Sequence, residues 1–159
     1  MNIENINKTK KLTFSAIVIA IYVILMFYTQ SFAFGAYQVR IATSLYALSY
    51  IFPFLVFPLG LANFLSNTLM GGMGVFDMVG GFIVGIITTL LIVCIKKFRL
   101  NIWFVGLPIL FIPAFGVATW LSYILKIPYS ALALSLCIGQ ILPAVCGVVL
   151  VKALLKVWE

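Results

Sequence analysis

Apolar residues run along most of the chain without the polar interruptions that mark a surface helix, and the breaks fall at glycine, proline or charged clusters. Segmented there, the pattern predicts helical spans at 12–30, 41–53, 54–70, 76–95, 102–123 and 131–155. The longer runs match the about 20 residues a helix needs to cross ~30 Å of hydrocarbon. The stretch 41–70 is too long for one crossing. Pro53 and Pro58 break its backbone hydrogen-bond ladder, so it reads as two short helices joined by a tight reversal.

Composition fixes the solvent. With 65% hydrophobic residues, 8% charged residues and a mean hydropathy of +1.26, the chain is an integral membrane protein. Six spans nearly fill its 159 residues, so the expected fold class is an all-α, compact six-transmembrane-helix bundle. It forms one domain over residues 1–159 with a short cytoplasmic segment, 1–11, ahead of the first span. That first run follows Lys8, Lys10 and Lys11, and Ser31-Phe32-Ala33 resembles a cleavage site, but its apolar length exceeds that of a leader peptide.

Charge orients the bundle. Ten Lys and Arg face three acids, yet they lie in short clusters between apolar runs, which sets aside nucleic-acid binding. Lysine and arginine near span ends favour the cytoplasm. With six spans and cytoplasmic termini, Lys8, Lys10, Lys11, Lys96, Lys97, Arg99, Lys152 and Lys156 fall inside, leaving Arg40 and Lys126 outside. Reading 41–70 as one span would instead turn the Lys96 cluster outward.

The same topology gathers the polar residues in the outward half. Gln38, Arg40, Thr43 and Ser44 lie between the first two spans. Asn67, the turn Gly71-Gly72-Met73-Gly74 and Asp77 lie between the third and fourth. Tyr123, Lys126 and Tyr129 lie between the last two, with Gln140 deeper along the sixth. Such groups cost several kcal/mol in a bilayer unless paired or hydrated, so their collection at one depth marks a candidate site. Snorkelling of Arg40 and Lys126 to headgroups, and capping of the fourth helix by Asp77, are the ordinary readings of those residues taken singly. The amides Gln38, Asn63, Asn67 and Gln140 both donate and accept, which suits the edge of a planar heterocycle. Tyr37, Trp120 or Tyr129 offers it a stacking face.

Other chemistry has little material. Histidine is absent, and Cys94, Cys137 and Cys146 lack metal-site or disulfide spacing, so no metal, cofactor or enzymatic centre is expected. The glycine turn has no following Gly-Lys-Ser/Thr, so the chain carries no nucleotide loop of its own. Ala16 and Ala20 form an AxxxA face and Gly81 and Gly85 a GxxxG face, each suited to close helix approach either within the bundle or against a partner.

The run YQVRIATSLYALSYIFPFLVFPLGLANFLSNTLMGGMGVFDMVGG resembles the QueT family of queuosine-precursor transporters, S components of energy-coupling factor (ECF) transporters. The matching order is QVRI, a proline-interrupted apolar stretch, LANFLSN, a glycine-rich turn and FDMVGG. The resemblance implies a six-helix subunit of a bacterial cell membrane that binds a 7-deazaguanine base (preQ0, preQ1 or queuine) on its outer side. It further implies one transmembrane coupling subunit and two cytoplasmic ATPases as partners, with Ala16 and Ala20 docking the coupling subunit. Gln38, Arg40, Thr43, Asn63, Asn67, Asp77, Trp120, Tyr129 and Gln140 are the expected site residues. Where family members resemble QVRISEAL, this chain has QVRIATSL, placing Thr43 at a glutamate position; Gln140 likewise stands near another. Losing both acids favours a neutral base such as preQ0 over a cationic one. A stand-alone secondary permease is the alternative, with an integral membrane enzyme behind it.

Overall fold

The computed structural model describes residues 7–35, 37–70 and 73–158, so Gly71 and Gly72 of the expected turn lie outside the described residues. Among the described residues all regular structure is helical. Helix α1 spans Lys8–Tyr28 and is followed by a single turn, α2, at Gln30–Ala33. After a loop, a 3-10 helix runs over Ile41–Tyr50 and a 3-10 turn over Pro53–Leu55 leads into α3, Val56–Leu69. Helix α4 is Val75–Lys97, α5 is Gly106–Leu125 behind a 3-10 turn at Ile102–Val105, and α6 is Tyr129–Trp158.

Four of these are long and apolar enough to cross a membrane: Lys8–Tyr28, Val75–Lys97, Ile102–Leu125 and Tyr129–Val157. The six expected spans therefore correspond to four helices of crossing length and two shorter segments, Ile41–Tyr50 and Pro53–Leu69. The break at Pro53 falls where the sequence places it. The second expected span differs in kind, being a 3-10 rather than an α-helix. Thr43 Oγ1 and Ser49 Oγ donate to the carbonyls three residues back, Arg40 and Tyr46, each at 2.7 Å, reinforcing the three-residue repeat. At about 2.0 Å per residue this helix rises ~20 Å, where ten α-helical residues would rise ~15 Å.

This segment is the axis of the bundle. Ala42, Thr43, Ser44, Tyr46, Ala47, Leu48 and Ser49 are all buried, and it packs against α6, α4 and α1. Two glycines of α6 admit it: the Tyr37 carbonyl lies directly against Gly139, and a methyl at Gly147 would sit 3.1 Å from the Ser44 carbonyl. Around it lies one apolar cluster that includes Met26, Ile51, Leu55, Leu59 and Ile92, while α5 and α6 share a second through Val117, Leu121, Leu132 and Leu136.

One end of the bundle is lysine-bearing. Lys11 sits over the Phe54 ring, Lys96 donates to the Ile51 carbonyl, and Lys152 sits over the Trp103 ring. Helix α1 buries Ser15, Val18, Tyr22 and Met26 and leaves Ala16 and Ala20 exposed. Its AxxxA face is thus exposed among the described residues.

Candidate functional site

The opposite end holds the polar residues, and the loop from 34 to 40 begins it. Val39 N–H returns to the Phe32 carbonyl at 3.0 Å and Gln38 N–H to the Gly35 carbonyl at 3.1 Å. Gln38 takes a left-handed φ of 44°, a conformation that non-glycine residues adopt only under constraint. The constraint is visible: Gln140 Nε2 donates to the Gln38 carbonyl at 3.3 Å, and Tyr37 is pressed on Gly139. Thr43 Oγ1 reaches Gln140 Oε1 at 3.0 Å as well as its own Arg40 carbonyl. Thr43 and Gln140 together anchor the backbone on which Arg40 stands.

Arg40 points inward and is only 3% exposed. Its Nε donates to the Ala33 carbonyl at 3.4 Å, and its Nη1 reaches Asn67 Oδ1 at 3.3 Å and, at the long distance of 3.5 Å, Asn63 Oδ1. The guanidinium lies over the Phe34 ring, 5.0 Å from its centre. Nη2 stands 3.9 Å from Asp77 Oδ2, close enough for ionic attraction and too far for a hydrogen bond. Among the described residues, Nη2 has no hydrogen-bond partner. An unused donor on a buried charge costs at least about 1–3 kcal/mol, so an acceptor placed there is strongly favoured.

Asp77, 2% exposed, occupies the first turn of α4, where the positive end of the helix dipole favours a carboxylate. Trp120 Nε1 donates to its Oδ1 at 3.2 Å and Met73 N–H to its Oδ2 at 3.4 Å. Its role is therefore more than a helix cap, because α5 and the Arg40 loop also converge on it. The amides are oriented by chemistry alone. Asn67 Nδ2 donates to the Asp77 carbonyl at 2.8 Å and Asn63 Nδ2 to the Gly81 carbonyl at 3.0 Å, acceptors that cannot donate, so both amide oxygens must face the donor-only guanidinium.

The GxxxG face of α4 makes room for this arrangement. A methyl at Gly81 would sit 2.6 Å from Asn67 Nδ2, and one at Gly85 would sit 3.0 Å from the Gly60 backbone and 3.2 Å from the Tyr46 hydroxyl. Trp120 is accommodated in the same way, with its ring against Gly80. The two faces singled out in the sequence thus differ: GxxxG packs internally on α3, and AxxxA is exposed among the described residues.

Of the expected site residues, the structure brings Arg40, Asn63, Asn67, Asp77 and Trp120 into one bonded cluster. Gln38, Thr43 and Gln140 join it through the backbone of the Arg40 loop. Tyr129 stands apart, 45% exposed, its hydroxyl donating to the Phe115 carbonyl at 3.4 Å. Tyr37 and Lys126 are exposed. Residues missing from the sequence reading are the Ala33 carbonyl, Phe34 and Tyr46. Among the described residues no group of three or more His, Cys, Asp or Glu comes together as a metal site would require.

A buried arginine held by amides, beside a carboxylate held by Trp120, suits non-covalent capture of a small polar molecule, and comparison with protein families agrees in kind. The model of the QueT transporter family matches residues 12–156, nearly the whole chain. Neither curated proteins nor solved structures gave a match. The chain is a multi-pass membrane protein and belongs to the QueT transporter family.

Proposed function

We propose that this chain is the substrate-binding S component of an ECF transporter and captures a 7-deazaguanine base at the Arg40 end of the bundle. The observation that carries this reading is the unused Nη2 of Arg40 beside a carboxylate that still has lone pairs to offer. Arg40 Nη2 donates to the carbonyl of the base, and Asp77 accepts from its guanidine-like N–H groups, as carboxylates do in bidentate recognition. Asn63 and Asn67 hold the arginine, and Trp120 holds the aspartate.

Ile41–Tyr50 and Pro53–Leu69 complete six passes of a single transmembrane domain, with both termini cytoplasmic. This is supported by Lys11, Lys96 and Lys152 making their contacts at one end while Arg40, Asp77 and Gln140 make theirs at the other. The polar end then faces outward in a bacterial cell membrane. The exposed Ala16 and Ala20 dock the transmembrane coupling subunit, and two cytoplasmic ATPases supply the energy. Thr43 and Gln140 bond each other at positions where the family resemblance implies glutamates, so no acid is available there for an ammonium, and the neutral preQ0 is the favoured ligand.

Mass spectrometry of small molecules released from the purified protein tests the ligand class, with a 7-deazaguanine as the expected species. A competition in which preQ1 displaced preQ0 severalfold better would overturn the neutral-base assignment. Uptake into vesicles by this chain alone would replace the coupled mechanism with a secondary permease.

A further inference from the structure

The Arg40 cluster continues towards the bundle axis through Tyr46, whose hydroxyl contacts Asn63 and Tyr22 and lies against Gly85. Asn63 Nδ2 donates to the Tyr46 hydroxyl at 2.7 Å, its shortest hydrogen bond, as well as to Gly81. Tyr46 is fully buried and confined on three sides. Its ring stacks on that of Tyr22 of α1, with centres 5.8 Å apart and planes 19° from parallel, and the two hydroxyls share a hydrogen bond of 3.2 Å. On the third side the missing side chain of Gly85 leaves room for the hydroxyl and little more. The hydroxyl therefore holds one end of the Asn63 amide, whose other end is the oxygen facing Arg40 Nη1.

We infer that Tyr46, steadied by Tyr22, is a positioning residue: through Asn63 it sets the direction of the Arg40 guanidinium, and so the direction in which Nη2 is offered. This rests on the Arg40 end being the substrate site. Without the hydroxyl, one Asn63 N–H loses its acceptor and the nitrogen end of the amide keeps only the Gly81 carbonyl. Arg40 then samples several orientations, and binding weakens although no group touching the ligand has changed.

The test uses the full chain in lipid nanodiscs, labelled with nitrogen-15 in the arginine guanidinium groups. Only Arg40 and Arg99 would give side-chain signals, and Arg99→Lys assigns them. In Tyr46→Phe the Arg40 signals are expected to shift and broaden while those of Arg99 stay in place, and affinity for 7-cyano-7-deazaguanine by calorimetry is expected to fall about tenfold. Tyr22→Phe should act in the same direction more weakly, and it carries the test if Tyr46→Phe does not fold. In an Asn63→Ala background Tyr46→Phe should add nothing, whereas a hydroxyl that merely supports packing would act in both backgrounds. Unchanged Arg40 signals in Tyr46→Phe overturn the inference whatever the ligand does. If the unmodified protein ignores the probe while the Arg40 signals respond to Tyr46→Phe, the substrate assignment fails and the positioning role stands.

Discussion

Cations at the two ends of this bundle are handled in different ways. At the lysine end Lys11, Lys96 and Lys152 are exposed or half-buried, and each lies over an aromatic ring, Lys152 at 3.7 Å from the centre of Trp103. Their ammonium groups reach water along flexible stems, so the contacts cost little and fix only the depth of the helix ends. Arg40 is given no such exit. It is enclosed by two amide oxygens, a backbone carbonyl and a carboxylate, and one of its nitrogens has no acceptor among the described residues. A charge that only anchors a membrane protein has no need of that enclosure, and burial rather than charge is what separates the Arg40 end from the lysine end.

Substitutions can press on this contrast. The largest effect is expected for Arg40→Ala, which removes both the donor offered to the ligand and the counter-charge that aims Asp77; with about 1.5–3 kcal/mol for each charged hydrogen bond lost, calorimetry should find binding of 7-cyano-7-deazaguanine weakened more than about 100-fold. Retained affinity would place the site elsewhere. Asp77→Asn keeps an oxygen for Trp120 and removes the charge, and a loss of about 1.5–3 kcal/mol, or ten- to 100-fold, is expected in the same titration. Trp120→Phe removes the indole hydrogen bond to Asp77 and leaves the one from Met73 N–H, so about 1 kcal/mol, near fivefold, should appear as faster dissociation in a stopped-flow measurement. Lys96→Ala and Tyr129→Phe should leave affinity within about twofold, because neither group touches the cluster. A large loss in Lys96→Ala would erase the distinction between the two ends.

Much of this was readable from the chain. Hydropathy and prolines gave the membrane class and the break near Pro53, and the cost of polar groups in lipid pointed to Arg40, Asn63, Asn67 and Asp77 as one cluster. The form of the second segment was not read, because short apolar runs carry no clear period of 3.6. A signal was nevertheless present: Arg40, Thr43, Tyr46 and Ser49 recur every third residue, the repeat of a 3-10 helix, and each uses its polar side chain inside the bundle. Tyr46 was overlooked because a tyrosine in an oily run is as good a core residue as a polar one. Tyr129 shows the opposite problem. Its place in the chain matched the polar end, yet the start of α6 turns its hydroxyl onto the α5 backbone, an orientation that depth along a span does not encode.

Gly81 and Gly85 join two properties that usually vary separately in a membrane bundle, the spacing of two helices and the aim of the amides between them. A side chain at either place would push α3 outward and turn Asn63 and Asn67 with it. The aim of the two amides is thereby tied to how closely α3 and α4 approach, and the Arg40 loop and α5 are where the proposed site has room to change.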